Sequence, residues 1–118
     1  MDAGTVLIVE DEPDAREILS EFLGLKGFHV VEASNGAEAW KFLQNSGPPC
    51  LIILDINMPV MDGRQFRALQ MRDPGLAKIP VVLISALGAS ATADLGATAV
   101  IRKPIDVEAL LQVVESNC

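Results

Sequence analysis

Basic residues are scarce in this chain. Nine Lys and Arg stand against sixteen Asp and Glu, for a formal net charge of −7 at pH 7. A nucleic-acid binder needs a basic face, and so does a protein that docks on anionic membrane; both classes are disfavoured. Long apolar runs are missing too, and none approaches the roughly 20 residues of a membrane span. The opening MDAGTVLIVED has no positive leader and too short an apolar run for a signal peptide. Cysteine is limited to Cys50 and Cys118, without metal or redox spacing. The expectation is a reduced, cytoplasmic protein, with Cys50 in the core and Cys118 on a frayed terminus. The one histidine, His29, falls in a predicted strand away from the acidic residues and reads as structural. No repeat, low-complexity tract or linker divides the chain.

What is present argues for a folded core. Half of the 118 residues are hydrophobic, mean hydropathy is +0.35, and the length fits one domain spanning 1–118. Val6 to Val9 is a continuous apolar run, as in a strand buried on both faces. Pro13 opens a helix in which Ile18, Leu19, Phe22 and Leu23 recur at helical spacing, and Gly27 suits its stop. A second strand is predicted over Phe28 to Ala33. Asn35-Gly36 reads as a turn, and Ala37 to Gln44 as a helix with Ala39, Trp40 and Leu43 inward. Cys50 to Leu54 is a third strand ending at Asp55, and a helix over about Arg64 to Arg72 follows. Val81 to Ser85 and Thr98 to Arg102 complete five strands, with Asp106 capping a last helix to about Glu115.

Strands alternate with helices, so the class is α/β with a parallel sheet. Ligands of such sheets sit beyond the carboxyl ends of the strands. Asp11 follows the first strand, Asp55 ends the third, Ser85 ends the fourth and Lys103 follows the fifth. All four are expected at one edge. The first strand also runs straight into Glu10, Asp11 and Glu12. Like charges repel unless something positive sits among them, so this cluster calls for a cation.

The segments VEDEPD (9–14), LDINMPVMDG (54–63), ISA (84–86) and IRKP (101–104) together resemble the receiver domain of a two-component response regulator, along essentially the whole chain. The resemblance implies a flavodoxin-like, doubly wound fold with strand order 2-1-3-4-5. It implies that Asp55 accepts a phosphoryl group from a sensor histidine kinase or histidine phosphotransfer domain. Mg²⁺, or Mn²⁺, would be held by Asp11, Asp55 and the Asn57 backbone carbonyl, with Glu10 acting directly or through water. Lys103 would pair with a phosphoryl oxygen and Ser85 would offer its hydroxyl to another. The bond before Pro104 would be cis. Ala15, Ile18, Pro104 and Ile105 match the positions that dock the kinase. A downstream effector, and a dimer that forms on phosphorylation, are further implications. Asn57 and Leu87 stand where water access to the phosphoryl group is tuned.

Two departures from the family pattern stand out. The position three before Lys103 is usually an aromatic whose ring swings inward when the Ser85 hydroxyl engages phosphate. Here it is Val100, which has no ring. Ser85 and Lys103 are also only 18 positions apart (103 − 85), about one helical turn short. The fourth helix, between Gly88 and Gly96, should therefore be short or irregular, and the output face built on it altered.

Three other functions fit parts of the pattern. A Mg²⁺-dependent phosphatase with an aspartate nucleophile wants a second Asp two residues on, and Asn57 stands there. A flavin-binding flavodoxin wants a Ser/Thr/Gly-rich phosphate loop where this chain has VEDEPD. A receiver-like interaction module that never uses phosphate fits Val100 and the shortened segment, but leaves the Asp11, Asp55 and Lys103 set unexplained. The chain is thus expected to be a self-modifying switch rather than a turnover enzyme.

Overall fold

Val6 to Val9, Leu51 to Leu54 and Val81 to Ile84 become central parallel strands because each run is hydrophobic on both faces and must be covered on both. A computed structural model describes residues 4–86 and 89–118. Its elements are β1 (Thr5–Val9), α1 (Pro13–Leu25), β2 (His29–Ala33), α2 (Gly36–Asn45), β3 (Leu51–Asp55), α3 (Gly63–Arg72), β4 (Val81–Ser85), a 3₁₀ segment (Ala89–Leu95), β5 (Ala99–Arg102) and α4 (Val107–Asn117). The sheet order is β2-β1-β3-β4-β5, the expected flavodoxin-like arrangement.

Successive strand residues point to opposite faces, which makes two cores. Val6, Ile8, Leu51, Ile53, Val82 and Ile84 pack with Leu19 and Leu23 of α1 and with Leu110 and Val114 of α4. Leu7, Val9, Ile52, Leu54, Val81 and Leu83 pack with Ala39 and Leu43 of α2 and with Phe66 of α3. Trp40 is only partly buried and meets Phe66 edge-on. Ile18 lies off the apolar stripe of α1 and is 60% exposed.

Helix ends follow local chemistry. Gly27 takes φ +94°, where a side chain would be strained, and ends the chain's passage out of α1. Asp62 caps α3 in a reciprocal box with Gln65. Asn35 proves to be the cap of α2 rather than half of a free turn: its side chain accepts from the Glu38 N–H at 3.0 Å. The connection before β5 is a seven-residue 3₁₀ segment, Ala89–Leu95. The short connection between β4 and β5 leaves room for only a short helix, and the tighter 3₁₀ winding suits short pieces. Leu87 and Gly88, named above for water access and for the start of this helix, lie outside the described residues.

The expectation of two reduced cysteines needs correction. Cys50 and Cys118 form a disulfide with Cα atoms 5.3 Å apart, closing 68 positions of sequence. The last helix of a parallel α/β fold runs back along the sheet, so its C-terminal end reaches the edge where β3 begins. Gly4 leaves the space: a Cβ there would sit 2.9 Å from the Cys50 sulfur. Closing so long a loop restricts the unfolded chain by about 4 kcal/mol on the chain-entropy model. Reductant should therefore lower the melting temperature by roughly 10–20 °C. Cys118→Ser should melt at the reduced value and be insensitive to reductant. Equal melting with and without reductant would refute the contribution.

Candidate functional site

The carboxyl ends of β1, β3, β4 and β5 bring the chemistry-bearing residues to one edge. Register sets them side by side: Val9 pairs with Leu54, Asp55 with Ile84, and Ser85 with Arg102. Beyond β1, the Glu10 N–H donates to the Ala33 carbonyl at 3.0 Å, and beyond β5 the Lys103 N–H donates to the Ser85 carbonyl at 3.0 Å. Sheet hydrogen bonding thus continues one residue into the site from both sides. The Lys103–Pro104 peptide is cis.

One carboxylate oxygen each from Glu10, Asp11 and Asp55 lies within 4.8 Å of the others. Lys103 Nζ stands 3.3 Å from Asp55 Oδ1 and 3.9 Å from Glu10 Oε1. Glu10 and Asp55 are buried, at 4% and 3% exposure. Burial and the adjoining Asp55 carboxyl push the Glu10 pKa from 4.5 up to about 8, against the pull of Lys103. At Lys103 burial pulls the pKa down, but Asp55 and Glu10 outweigh it and the net shift is upward. A single lysine therefore does not neutralise three acids. Glu10 Oε2 is buried and has no hydrogen-bond partner among the described residues. Clustered hard oxygens with one orphaned acceptor suit a divalent cation such as Mg²⁺.

The raised Glu10 pKa carries a sign. The folded protein holds a proton on Glu10 that the unfolded chain releases near 4.5, so in metal-free buffer the folded state binds more protons between about 4.5 and 8. Stability then falls as pH rises through that window. Thermal unfolding in chelator from about pH 5 to pH 8 should show the decline, and Glu10→Gln should flatten it. An unchanged slope in Glu10→Gln would assign the decline to other groups.

The remaining expected residues are placed as follows. Ser85 is buried at the end of β4. Asn57 is exposed on the loop after β3. Val100 is half-buried in β5 opposite Leu83 and packs on the core shared by α2 and α3. Ala15, Ile18, Pro104 and Ile105 line one groove of about 280 Å³ beside the acids. His29 lies at the start of β2, at the opposite end of the strands from the acids.

The loop between Asp55 and α3 is fixed by its backbone. Gly63 N–H donates to the Ile56 carbonyl at 2.8 Å, and Gly36 N–H to the Met61 carbonyl at 2.9 Å. Polar anchors that sequence reasoning missed lie nearby. Arg67 is buried and donates to the Leu95 and Gly96 carbonyls at 3.0 and 3.1 Å, tying α3 to the end of the 3₁₀ segment. Arg16 on α1 donates to the Glu10 carbonyl at 2.8 Å. The only signal for Arg16 was a basic residue one helical turn beyond an acidic loop.

Comparison with known proteins agrees with this architecture. The family model for the response regulator receiver domain matches residues 6–115. Response regulator Rre1 of Synechocystis sp. is 37% identical over 117 residues, which cover 95% of this chain and 50% of that protein. This chain thus spans half the length of that relative. The signal receiver domain of a signal transduction histidine kinase from Syntrophus aciditrophicus aligns with a TM-score of 0.89 at 35% identity, covering 96% of this chain and 88% of that one. The Mn(2+)-bound form of response regulator Rcp1 aligns with a TM-score of 0.78 at 28% identity, covering 96% and 90%. The chain belongs to the response regulator receiver domain family.

Proposed function

We propose that this receiver domain takes a phosphoryl group onto Asp55 from a phosphohistidine and switches between two conformations that a downstream partner distinguishes. The observation that carries the reading is Lys103 Nζ 3.3 Å from the buried Asp55 carboxylate, with Glu10 and Asp11 beside it. A bare carboxylate is a poor nucleophile toward an anionic phosphoryl group, so the work is positioning and charge neutralisation. Mg²⁺ or Mn²⁺, held by Asp11, Asp55 and the Asn57 carbonyl with Glu10 alongside, would neutralise charge on the phosphoryl oxygens. The orphaned Glu10 Oε2 and the Mn(2+)-bound relative support it.

Asp55 attacks phosphorus, the phosphorus–nitrogen bond of the donor breaks, and the donor imidazole keeps the electron pair and takes up a proton. The product is an aspartyl phosphate. Lys103 then turns from the Asp55 carboxylate to a phosphoryl oxygen, and Ser85 donates its hydroxyl to another. With Val100 in place of an aromatic, the Ser85 contact cannot be reported by a swinging ring. Incubation with acetyl phosphate, with and without Mg²⁺, followed by intact mass, tests the reading. A Mg²⁺-dependent gain of one phosphoryl group supports it. No gain from acetyl phosphate or from a cognate kinase would favour an interaction module that never uses phosphate.

The groove lined by Ala15, Ile18, Pro104 and Ile105 opens beside the acceptor and exposes Ile18. It suits an apolar side chain from the helical domain that carries the phosphohistidine. Ile18→Asp should slow transfer from a cognate kinase by an order of magnitude or more, since an unpaired charge would face a desolvated contact. Phosphorylation by acetyl phosphate should be unaffected. Equal loss of both rates would remove Ile18 from the docking surface.

A further inference from the structure

The peptide joining Glu10 to Asp11 has two of the three clustered acids on its flanking Cα atoms. Its carbonyl oxygen accepts from Arg16 Nη1 at 2.8 Å. On the other side of Glu10, its N–H donates to the Ala33 carbonyl at 3.0 Å. Arg16 is itself held, because Nε donates to Glu32 Oε1 at 3.2 Å. Glu32 lies on β2, opposite Ile8 in register. One guanidinium therefore ties β2 to the acidic loop from a root on α1. Two donors in a fixed planar fork make this possible; a lysine ammonium on a flexible stem supplies one point contact.

The geometry points to Arg16 as a positioning residue for the cation site: it fixes the Glu10–Asp11 peptide plane so that both carboxylates converge with Asp55. This role rests on the divalent-cation reading above. It makes a counter-intuitive prediction. On charge alone, a guanidinium beside three acids repels a cation, so its removal should tighten binding, and salt should screen the gain. If Arg16 acts by geometry, its removal weakens binding in spite of the charge, and salt does not restore it.

The test is Mn²⁺ binding to the full chain, read from the electron paramagnetic resonance signal of the free ion. Wild type, Arg16→Met, Arg16→Lys and Glu32→Gln would be compared at low and high salt, with thermal unfolding of each. Arg16→Met is expected to bind on the order of tenfold more weakly at both salts, as when a group that orients metal ligands is lost. Arg16→Lys should fall between it and wild type, and Glu32→Gln should show a smaller loss. Binding by Arg16→Met as tight as wild type, or tighter, would overturn the proposal, as would a lower melting temperature with unchanged Mn²⁺ affinity. Should Arg16→Met fail to fold, Arg16→Lys carries the comparison, since it keeps the charge and loses the planar fork. Failure of wild type to bind Mn²⁺ would instead overturn the cation reading, and Arg16's role with it.

Discussion

Asp55→Asn is expected to abolish phosphoryl gain from acetyl phosphate while leaving the protein folded. An amide nitrogen and oxygen replace two carboxylate oxygens at nearly the same volume, so packing at this buried position is kept. What is lost is the anionic oxygen that would bond to phosphorus. The electrostatics favour the variant. Wild type crowds Glu10, Asp11 and Asp55 around one lysine, and Glu10 responds with a pKa of about 8. Removing one negative charge relieves that repulsion, and an amide N–H can donate to Glu10. The melting temperature in metal-free buffer should therefore equal or exceed that of wild type. Intact mass and thermal unfolding on the same sample check both halves. Wild-type phosphoryl gain in the variant would place the acceptor elsewhere, and a collapsed melting temperature would make the loss uninformative.

Gly63→Ala should damage both the fold and the site. A Cβ at Gly63 would lie 2.6 Å from the Asp55 carbonyl oxygen and 2.8 Å from the Ile56 Cα, both backbone atoms that cannot turn aside. Relief requires α3 to retreat from the end of β3, which stretches the 2.8 Å bond from the Gly63 N–H to the Ile56 carbonyl. Overpacking of this kind costs about 1–3 kcal/mol, with the strained hydrogen bond in addition. Asp55 is the residue displaced, so phosphorylation should slow by more than the loss of folded protein explains. Gly47→Ala is the control: a Cβ there meets nothing within 4 Å, and its effect should stay within about 0.5 kcal/mol. Denaturant unfolding would separate the two. Equal, small effects would mean the β3–α3 junction has slack.

The parts of this molecule that could be read from sequence are those governed by short-range pattern. Val6 to Val9 and Val81 to Ser85 are apolar on both faces, which only a covered parallel strand satisfies. Once strands and helices alternate, the acids after β1 and β3 and the lysine after β5 must share an edge, and the structure does bring Glu10, Asp11, Asp55 and Lys103 together there. Less was visible where partners are far apart in the chain. Nothing in the spacing of Cys50 and Cys118 announces a bond; it depends on where α4 ends relative to β3. Arg67 is a basic residue in a helix, and only tertiary packing gives it the Leu95 and Gly96 carbonyls. Asn35 shows a different limit: Asn-Gly serves turns and caps alike, and only the helix that follows decides for the cap, through the backbone N–H at position 38 from which the Asn35 side chain accepts. The shortened connection before β5 could be counted, but not its 3₁₀ winding, since both helical forms fit so few residues.

The measurement to make is localisation of the phosphoryl group. Acyl phosphates are reduced by borohydride to alcohols, so an aspartyl phosphate becomes a homoserine that peptide mass spectrometry can place. After acetyl phosphate and Mg²⁺, the label should fall on Asp55 alone and should vanish when Mg²⁺ is chelated. Label on Asp11 or on another carboxylate, or equal labelling in chelator, would contradict Asp55 as the metal-dependent acceptor.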